Sequence, residues 1–372
     1  MITPKVALIH DHLVQYGGAE KTLETIMEIF PEAPVYTGIY NPNKMPKSIT
    51  GKNIIHSNNV FLHKLPKYFS FLMPLVFESI DLSKYDLILS DSSCWAKGVL
   101  TKPSQLHISY IHTPPRFLYK YSVESEIRKK RLFKPAISII DLILRNWDFT
   151  AAQRPNYLIA NSNEVKNRIS KFYSRDSHII NPPVDIEYNS ELTNPSEGKY
   201  YIAWGRLVSY KNFLPLVKSF NINGLPLVIA GTGPEENKLK SIAKDNVKFT
   251  GWVEDEEKNK LIKESKGVIN AVEDEDFGMV PVEAMSYGKP VLAHKSGGHL
   301  ETITEGVNGM FFESLKPEEL SNRIIQFDKM INEETFNAED IRRETMKYSK
   351  ERFKEEYKSY VMEKWEVHQK QY

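Results

Sequence analysis

Short apolar runs recur along the chain, separated by stretches whose apolar positions follow a helical spacing. In the first half, residues 6–10, 35–39, 87–90, 107–111 and 157–161 read as strands. Ala19, Leu23, Ile26, Met27 and Phe30 mark one face of a helix between the first two. In the second half, residues 201–204, 227–230, 247–250, 268–271 and 291–293 repeat the pattern. Strands alternating with helices in this way predict parallel sheets covered on both faces, an α/β class. The proline-rich, polar stretch between residues 181 and 198 is the natural boundary, because a fresh strand follows it. From about Glu318 onward the chain is charged and helical. Phe353, Tyr357, Tyr360 and Val361 fall on one face there, so this segment packs on something. Two α/β domains of similar size with a cleft between them follow.

Length and charge narrow the picture. The chain has 372 residues, more than one core usually holds, so two domains are expected. The formal net charge is +1, which argues against a dedicated nucleic-acid binder. The single cysteine, Cys94, excludes an internal disulfide framework and a cysteine zinc cluster, fits a reducing cytoplasm, and reads as a half-buried apolar residue. The N-terminus shows no signal peptide, and no apolar run approaches the ~20 residues of a membrane span, so a soluble, cytoplasmic protein is expected.

The richest stretch is Glu275-Asp276-Phe277-Gly278-Met279-Val280-Pro281-Val282-Glu283. It follows a buried strand, Pro281 suits the first position of a helix, and Gly288 suits its stop. One carboxylate then lies in a loop and the other in the first helical turn, where an α/β sheet binds ligands. Such a pair can take the hydroxyls of a sugar and of a ribose. A second signal is Gly205-Arg206-Leu207, with Lys211 five residues on. Two cations beside a helix N-terminus suit a diphosphate, arginine binding bidentately and lysine as a compact charge.

Other positions carry weaker signals. Gly231 and Gly233, and likewise Gly297 and Gly298, follow strands where glycine lets amides approach a ligand. The first pair lacks the third small residue of a dinucleotide fingerprint, which counts against an NAD enzyme. His10 and His12 alternate onto one face, so a metal pair is conceivable. The stronger reading has Asp11 ending the strand and Gly17-Gly18 opening a helix toward a donor phosphate or an acceptor. His112 ends a strand before a rigid Thr-Pro-Pro-Arg116 turn, with Tyr119 and Tyr121 nearby. The basic run Arg128-Lys-Lys-Arg131-Leu-Phe-Lys134, with aromatics upstream, reads as a surface for anionic lipid headgroups or as a solvated helix face.

Together these segments resemble the retaining glycosyltransferases of family 4, which have the GT-B fold. The resemblance spans nearly the whole chain and extends to mannosyltransferases of O-antigen and polysaccharide assembly. It implies two Rossmann-like domains facing a central cleft. Residues 1–190 would bind the acceptor and 191–346 the donor, and a C-terminal helix at about 347–372 would cross back to the first domain. It implies that Arg206 and Lys211 hold the donor diphosphate and stabilise the leaving group, with Gly205, Gly231 and Gly233 alongside. Glu283 would bind the ribose and Glu275 the donor sugar, with the backbone of Phe277, Gly278, Met279 and Val280 nearby. His112 would lie beside the reacting sugar, Gly17 and Gly18 would cover the donor, and Asp11, Arg116 and Tyr119 would meet the acceptor.

The implied co-substrate is a nucleotide sugar, GDP-mannose by the subgroup, with a glycan or lipid-linked saccharide as acceptor. No metal cofactor and no nucleic acid are implied, and peripheral contact with the inner face of the membrane is. Retention is usually discussed as front-face attack assisted by the departing phosphate. A double displacement would need a carboxylate against the anomeric carbon, for which Glu275 is the candidate. Two departures bear on mannose: one more residue separates Gly18 from Glu20 than in the subgroup, and His12 stands where tryptophan is common. A UDP-sugar donor, a sugar-nucleotide epimerase of the same architecture and a non-catalytic binding subunit are the competing readings.

Overall fold

The computed structural model describes residues 3–56, 71–119, 134–186 and 191–371. The chain divides into two units, Met1–Pro183 with Lys350–Tyr372, and Val184–Ser349. The basic run 128–133 and Tyr121 lie outside the described residues.

The first unit is built on a seven-stranded parallel sheet in the order β3-β2-β1-β4-β5-β6-β7. Its strands are β1 (Val6–Leu13), β2 (Val35–Tyr40), β3 (Ile54–His56), β4 (Leu87–Ser92), β5 (Leu106–Ile111), β6 (Tyr157–Ala160) and β7 (His178–Ile179). Strand alternation assigns each side chain to a layer. Leu8 packs in one core with Leu23, Ile26 and Met27 of helix α1 (Gly18–Ile29). Ala7 and Ile9 face the opposite core with Trp95, Ala96 and Leu118. Helix α2 (Lys134–Ala151) adds Leu144 to that second core.

Helix α8 (Lys350–Gln369) closes the first face. Phe353, Tyr357, Val361 and Trp365 recur every four residues along it and are buried with Leu8 and Leu23. Each such side chain contributes about 1.5–3 kcal/mol of burial, and truncating Phe353 to alanine is expected to cost about 3–5 kcal/mol.

The second unit carries a six-stranded parallel sheet in the order β10-β9-β8-β11-β12-β13. The strands are β8 (Tyr201–Trp204), β9 (Leu227–Ala230), β10 (Val247–Gly251), β11 (Gly267–Asn270), β12 (Val291–His294) and β13 (Gly309–Phe312). Both faces are covered, by helices that include α4 (Phe213–Asn223), α5 (Asp255–Lys263), α6 (Met279–Ser286) and α7 (Pro317–Asn332), α3 (Asn163–Tyr173) belonging to the first unit. The apolar runs of β8, β11 and β12 are buried because helices lie on each side of them.

Two parallel, doubly wound sheets confirm the expected α/β class. Among the described residues, no helix is long and apolar enough to cross a membrane.

Candidate functional site

In a doubly wound sheet the strand order reverses at one point, and the loops leaving the two strands there diverge and open a crevice. In the second unit that point lies between β8 and β11. Gly205 leaves β8 at φ 134°, a conformation that only glycine adopts readily. The chain then passes Arg206, makes one 3-10 turn over Ser209–Lys211 and enters α4 through Asn212 at φ 56°. This path folds Lys211 back, so that a Cβ at position 205 would sit 3.0 Å from its Nζ. Asn212 Nδ2 donates to Ala271 O at 2.9 Å and lies 3.4 Å from Glu273 Oε2, tying the β8 loop to the β11 loop. Lys211, Trp204, Asn270, Val272 and Val280 line one small cavity between them. The cation loop and the start of the acidic segment are therefore neighbours.

The acidic segment departs from expectation at its helix. Gly278, at φ 95°, is the N-cap, and α6 begins at Met279 rather than at Pro281. Proline is tolerated at the third position because that N–H has no intrahelical partner anyway. Glu283 is consequently the fifth helical residue, beyond the first turn. Its Oε1 lies 3.7 Å from Lys258 Nζ of α5, a partner that no spacing in the sequence indicates. Glu275 lies in the loop, where Oε1 accepts from Asp276 N at 3.2 Å.

The glycine pairs let neighbouring loops approach closely. A Cβ on Gly231 would meet Gly205 O at 2.0 Å, and one on Gly233 would meet Leu207 O at 2.4 Å. Gly231 N itself donates to Gly251 O at 2.6 Å. Gly297 and Gly298 press likewise on the Glu275 and Phe277 backbone, and Gly298 N donates to Glu275 O at 2.8 Å. The close backbone approach expected of these glycines thus includes contact with the neighbouring loops. Beside this clamp, the buried His299 donates Nδ1–H to His294 O at 2.8 Å. Burial holds its pKa below the ordinary value, so its Nε2 is a lone pair.

The first unit reverses its strand order at β1, where β1 and β4 are neighbours. There His10 and Asp91 stand opposite each other in the parallel register. His10 Nδ1 lies 2.8 Å from Asp91 Oδ2, and His112 Nε2, just past β5, lies 2.6 Å from Asp91 Oδ1. Glu20 of α1 brings Oε1 to 3.8 Å from His10 Nε2. All four side chains are buried or nearly so, with His112 the most accessible at 12%. Burial alone would lower the His10 pKa, but the hydrogen-bonded carboxylate of Asp91 and the nearby carboxylate of Glu20 outweigh it and raise the value to about 10. Burial likewise opposes charge on His112, and Asp91 outweighs it, so that pKa also rises. Asp91 is held below the usual carboxylate range: the two histidines overcome its desolvation.

Asp11 does not end its strand, because β1 continues to Leu13. Its side chain points to the opposite face from His10. Both oxygens accept backbone amides there, from Ser93, Cys94, Trp95 and Ala96, at 2.6–2.8 Å. Gly17 is the N-cap of α1 and its N–H donates to Glu20 Oε2 at 2.9 Å; Gly18 is the first helical residue. Arg116 opens a one-turn helix, Arg116–Tyr119, that follows His112. Tyr119 stacks on Phe172 with 4.2 Å between ring centroids and donates its hydroxyl to Asp148 Oδ2 at 2.9 Å. His10 and His12 do not combine as a metal pair, since His10 turns to Asp91 and Glu20. No group of three or more metal-ligating side chains occurs among the described residues.

Asp91, Lys258 and His299 are not singled out by sequence, and Glu20 enters there only through its spacing from the glycine pair. Asp91 sits one position beyond the apolar run that predicts β4, and only the register reveals its two histidine partners.

Residues 185–348 match the family described as Glycosyl transferases group 1. The chain is 29% identical over 280 residues to mannosylfructose-phosphate synthase of Agrobacterium fabrum, covering 64% of this chain and 61% of that protein. It is 25% identical over 243 residues to O-antigen chain mannosyltransferase C of Escherichia coli, covering 58% of this chain and 64% of the relative. The chain thus spans less than two thirds of the length of each of these relatives. Among solved structures it is similar to Anabaena Alr3699/HepE in complex with UDP, with a TM-score of 0.70 at 18% identity, covering 96% of this chain and 100% of that one. The two Rossmann-like units are those of the GT-B fold.

Proposed function

We propose that this chain, whose second unit carries a group 1 glycosyltransferase domain, is a retaining glycosyltransferase of family 4. It transfers mannose from GDP-mannose to a glycan or lipid-linked saccharide in the assembly of cell-surface polysaccharide. The observation that carries this reading is the meeting of two loops at the strand-order reversal of the second sheet. One bears Arg206 and Lys211, and the other leads into Glu275 and Glu283.

In this reading Arg206 and Lys211 bind the diphosphate and stabilise it as the bond from the anomeric carbon to the phosphate oxygen breaks. Glu283, braced by Lys258, takes the ribose hydroxyls, and Glu275 takes the donor sugar. His112 orients a sugar hydroxyl, and Arg116 contributes to the acceptor side. The acceptor hydroxyl attacks the face that the phosphate leaves, its proton passes to the departing phosphate, and a glycoside and a nucleoside diphosphate result. The cations serve the leaving group, so the reaction proceeds without a metal. Mannose is favoured by the names of the two relatives. A UDP-sugar donor is the second reading, favoured by the UDP complex of the similar structure.

The same proposal places the protein in the cytoplasm, at the inner face of the membrane. Support comes from α2, where Ile139, Leu142 and Ile143 are more than half exposed while Asp141 and Asp148 point inward.

The test is a thermal-shift panel of GDP-, UDP-, ADP- and CDP-sugars and NAD, followed by incubation of the best binder with EDTA and a mixture of acceptor glycans. Stabilisation by a GDP-sugar that is lost in Arg206→Ala/Lys211→Ala is expected. Stabilisation by NAD and by no sugar nucleotide would sink the proposal. Epimerised donor without acceptor would replace transfer by epimerisation.

A further inference from the structure

We propose that Asp91 is a positioning residue for His112. It fixes which nitrogen of that ring carries the proton, while His10, clamped between Asp91 and Glu20, sets how much of the carboxylate's charge His112 receives.

A carboxylate with a depressed pKa only accepts hydrogen bonds, so each ring nitrogen facing Asp91 carries hydrogen. For His112 that nitrogen is Nε2, which leaves Nδ1 to face away from Asp91 as a lone pair, or as a donor once the ring is charged. Among the described residues no other side chain bonds this ring. It packs edge-on against Tyr110 with centroids 5.3 Å apart, while the Tyr110 hydroxyl is committed to Ile180 O at 2.9 Å.

The two histidines on Asp91 are not equivalent. His10 has an acid at each nitrogen, Asp91 at 2.8 Å and Glu20 at 3.8 Å, and stays an imidazolium across the neutral range. His112 has one acid and shares it with that cation, which counteracts part of the carboxylate's pull. Environments that push two like groups apart in this way assign one to a fixed charge and leave the other to titrate. The remaining charged or titratable neighbours are Asp11 and His12 on β1, Glu20 on α1, Tyr110 on β5 and Tyr357 on α8. Asp11 is occupied by four amides, burial keeps His12 toward its neutral form, and burial raises both tyrosines far above neutrality. Among the charged groups Asp91 is therefore the dominant influence on His112, and His10 opposes it alongside burial.

The arrangement also has a rigid frame. The amides that Asp11 binds belong to Ser93 through Ala96, directly after β4, so β1 and the exit of β4 are fixed to each other one residue from His10 and two from Asp91. His112 N donates to Ser92 O at 2.9 Å, and Asn161 Nδ2 donates to His112 O at 3.0 Å. With the backbone held at both strands, the Asp91 carboxylate decides the ring's orientation.

The catalytic consequence, a His112 Nδ1 set to meet a hydroxyl or phosphate oxygen of a bound sugar nucleotide, rests on the glycosyl-transfer reading above. The ring assignment does not.

The experiment is ring-nitrogen NMR of the full chain labelled with 15N-histidine, titrated from pH 5 to pH 10 and assigned with His112→Gln. In the native chain His10 is expected charged through neutrality and His112 protonated at Nε2. Asp91→Asn should lower the His112 pKa and relax its tautomer, whereas His10→Gln should raise it. Opposite shifts are the signature, since a merely structural role would not produce them. An unmoved His112 ring in Asp91→Asn, or shifts of the same sign in both variants, overturns the proposal. If Asp91→Asn does not fold, the absence of an upward shift in His10→Gln is sufficient to overturn it.

Sugar-nucleotide turnover is followed in the same variants. Asp91→Asn should lower kcat about tenfold or more with KM little changed, and the pH limb of kcat should follow the ring pKa. Rings that shift as described in a chain that turns over no sugar nucleotide would uphold Asp91 and reject glycosyl transfer. Turnover with rings unmoved would do the reverse.

Discussion

Lys258 stands between two carboxylates, its Nζ 2.8 Å from Asp255 Oδ1 and 3.7 Å from Glu283 Oε1, with the Lys258 and Glu283 side chains 12% and 15% exposed. An ammonium held between two carboxylates limits the rotamers of each, which suits a group that must accept two hydroxyl hydrogens at once. Lys258→Met should therefore weaken sugar-nucleotide binding about 2–5-fold, the scale of about 0.4–1 kcal/mol for one such pair. Calorimetric titration of Lys258→Met, Glu283→Gln and the double variant tests the coupling. Strictly additive losses would mean that the two residues act separately.

Glycines in the two units should respond differently to alanine. A Cβ on Gly298 would lie 2.5 Å from Phe277 Cα, whereas Gly17 has an extended backbone and meets nothing nearer than Glu20 Oε2 at 3.4 Å. Gly298→Ala should lose about 1–3 kcal/mol of stability as the Glu275 loop is pushed away, and Gly17→Ala should change little. If Gly17→Ala keeps its melting temperature yet loses donor binding, position 17 is small for the ligand's sake.

Two buried histidines should give stability slopes of opposite sign. Burial, reinforced by Arg154 and Arg175, pushes His107 down to about 3. Its unfolded form titrates near 6.5, so its contribution is present above pH 6.5 and is lost as the pH falls toward 3, at up to about 1.4 kcal/mol per pH unit. His107→Gln should thus be costly at pH 7 and progressively less so by pH 4. His10, raised to about 10, contributes fully below pH 6.5 and loses that contribution as the pH rises through 10. Its replacement by glutamine should cost more at pH 6 than at pH 10. Urea unfolding across this range decides both, and parallel slopes would contradict the assignments.

The exposed face of α2 makes a separate prediction. Ile139, Leu142, Ile143 and Phe149 are 61, 53, 62 and 43% exposed, and they recur at helical spacing. Ile139→Asn/Ile143→Asn should reduce flotation with phosphatidylglycerol vesicles about tenfold while leaving the melting temperature nearly unchanged, because neither side chain is in the core. Equal flotation of both proteins would remove the membrane from the proposal.

The central strands were legible because burial on both faces forces an uninterrupted apolar run. β8 and β9 have the bounds that the runs predict. The strands outside that reading, β3, β7 and β13, each lie at a sheet edge, where pairing on one side suffices, and β3 and β7 are only three and two residues long. Arg206, Lys211, Glu275 and Glu283 were legible as chemistry because their loops follow readable strands. Asp91 was not, since its meaning comes from register: nothing in Leu-Ser-Asp-Ser announces a histidine across the sheet. Lys258 reaches Glu283 only through the packing of α5 beside α6, and Pro281 misdirected the start of that helix because Gly278 had already turned the chain.

The return of α8 to the first sheet has a consequence for synthesis. Val184–Ser349 is continuous and can complete its core as soon as it leaves the ribosome, whereas the earlier segment waits for Phe353, Tyr357, Val361 and Trp365. The half of the protein made first is thus finished last, and until then the sheet face beneath α8 lies open to whatever chaperone or neighbouring chain is at hand.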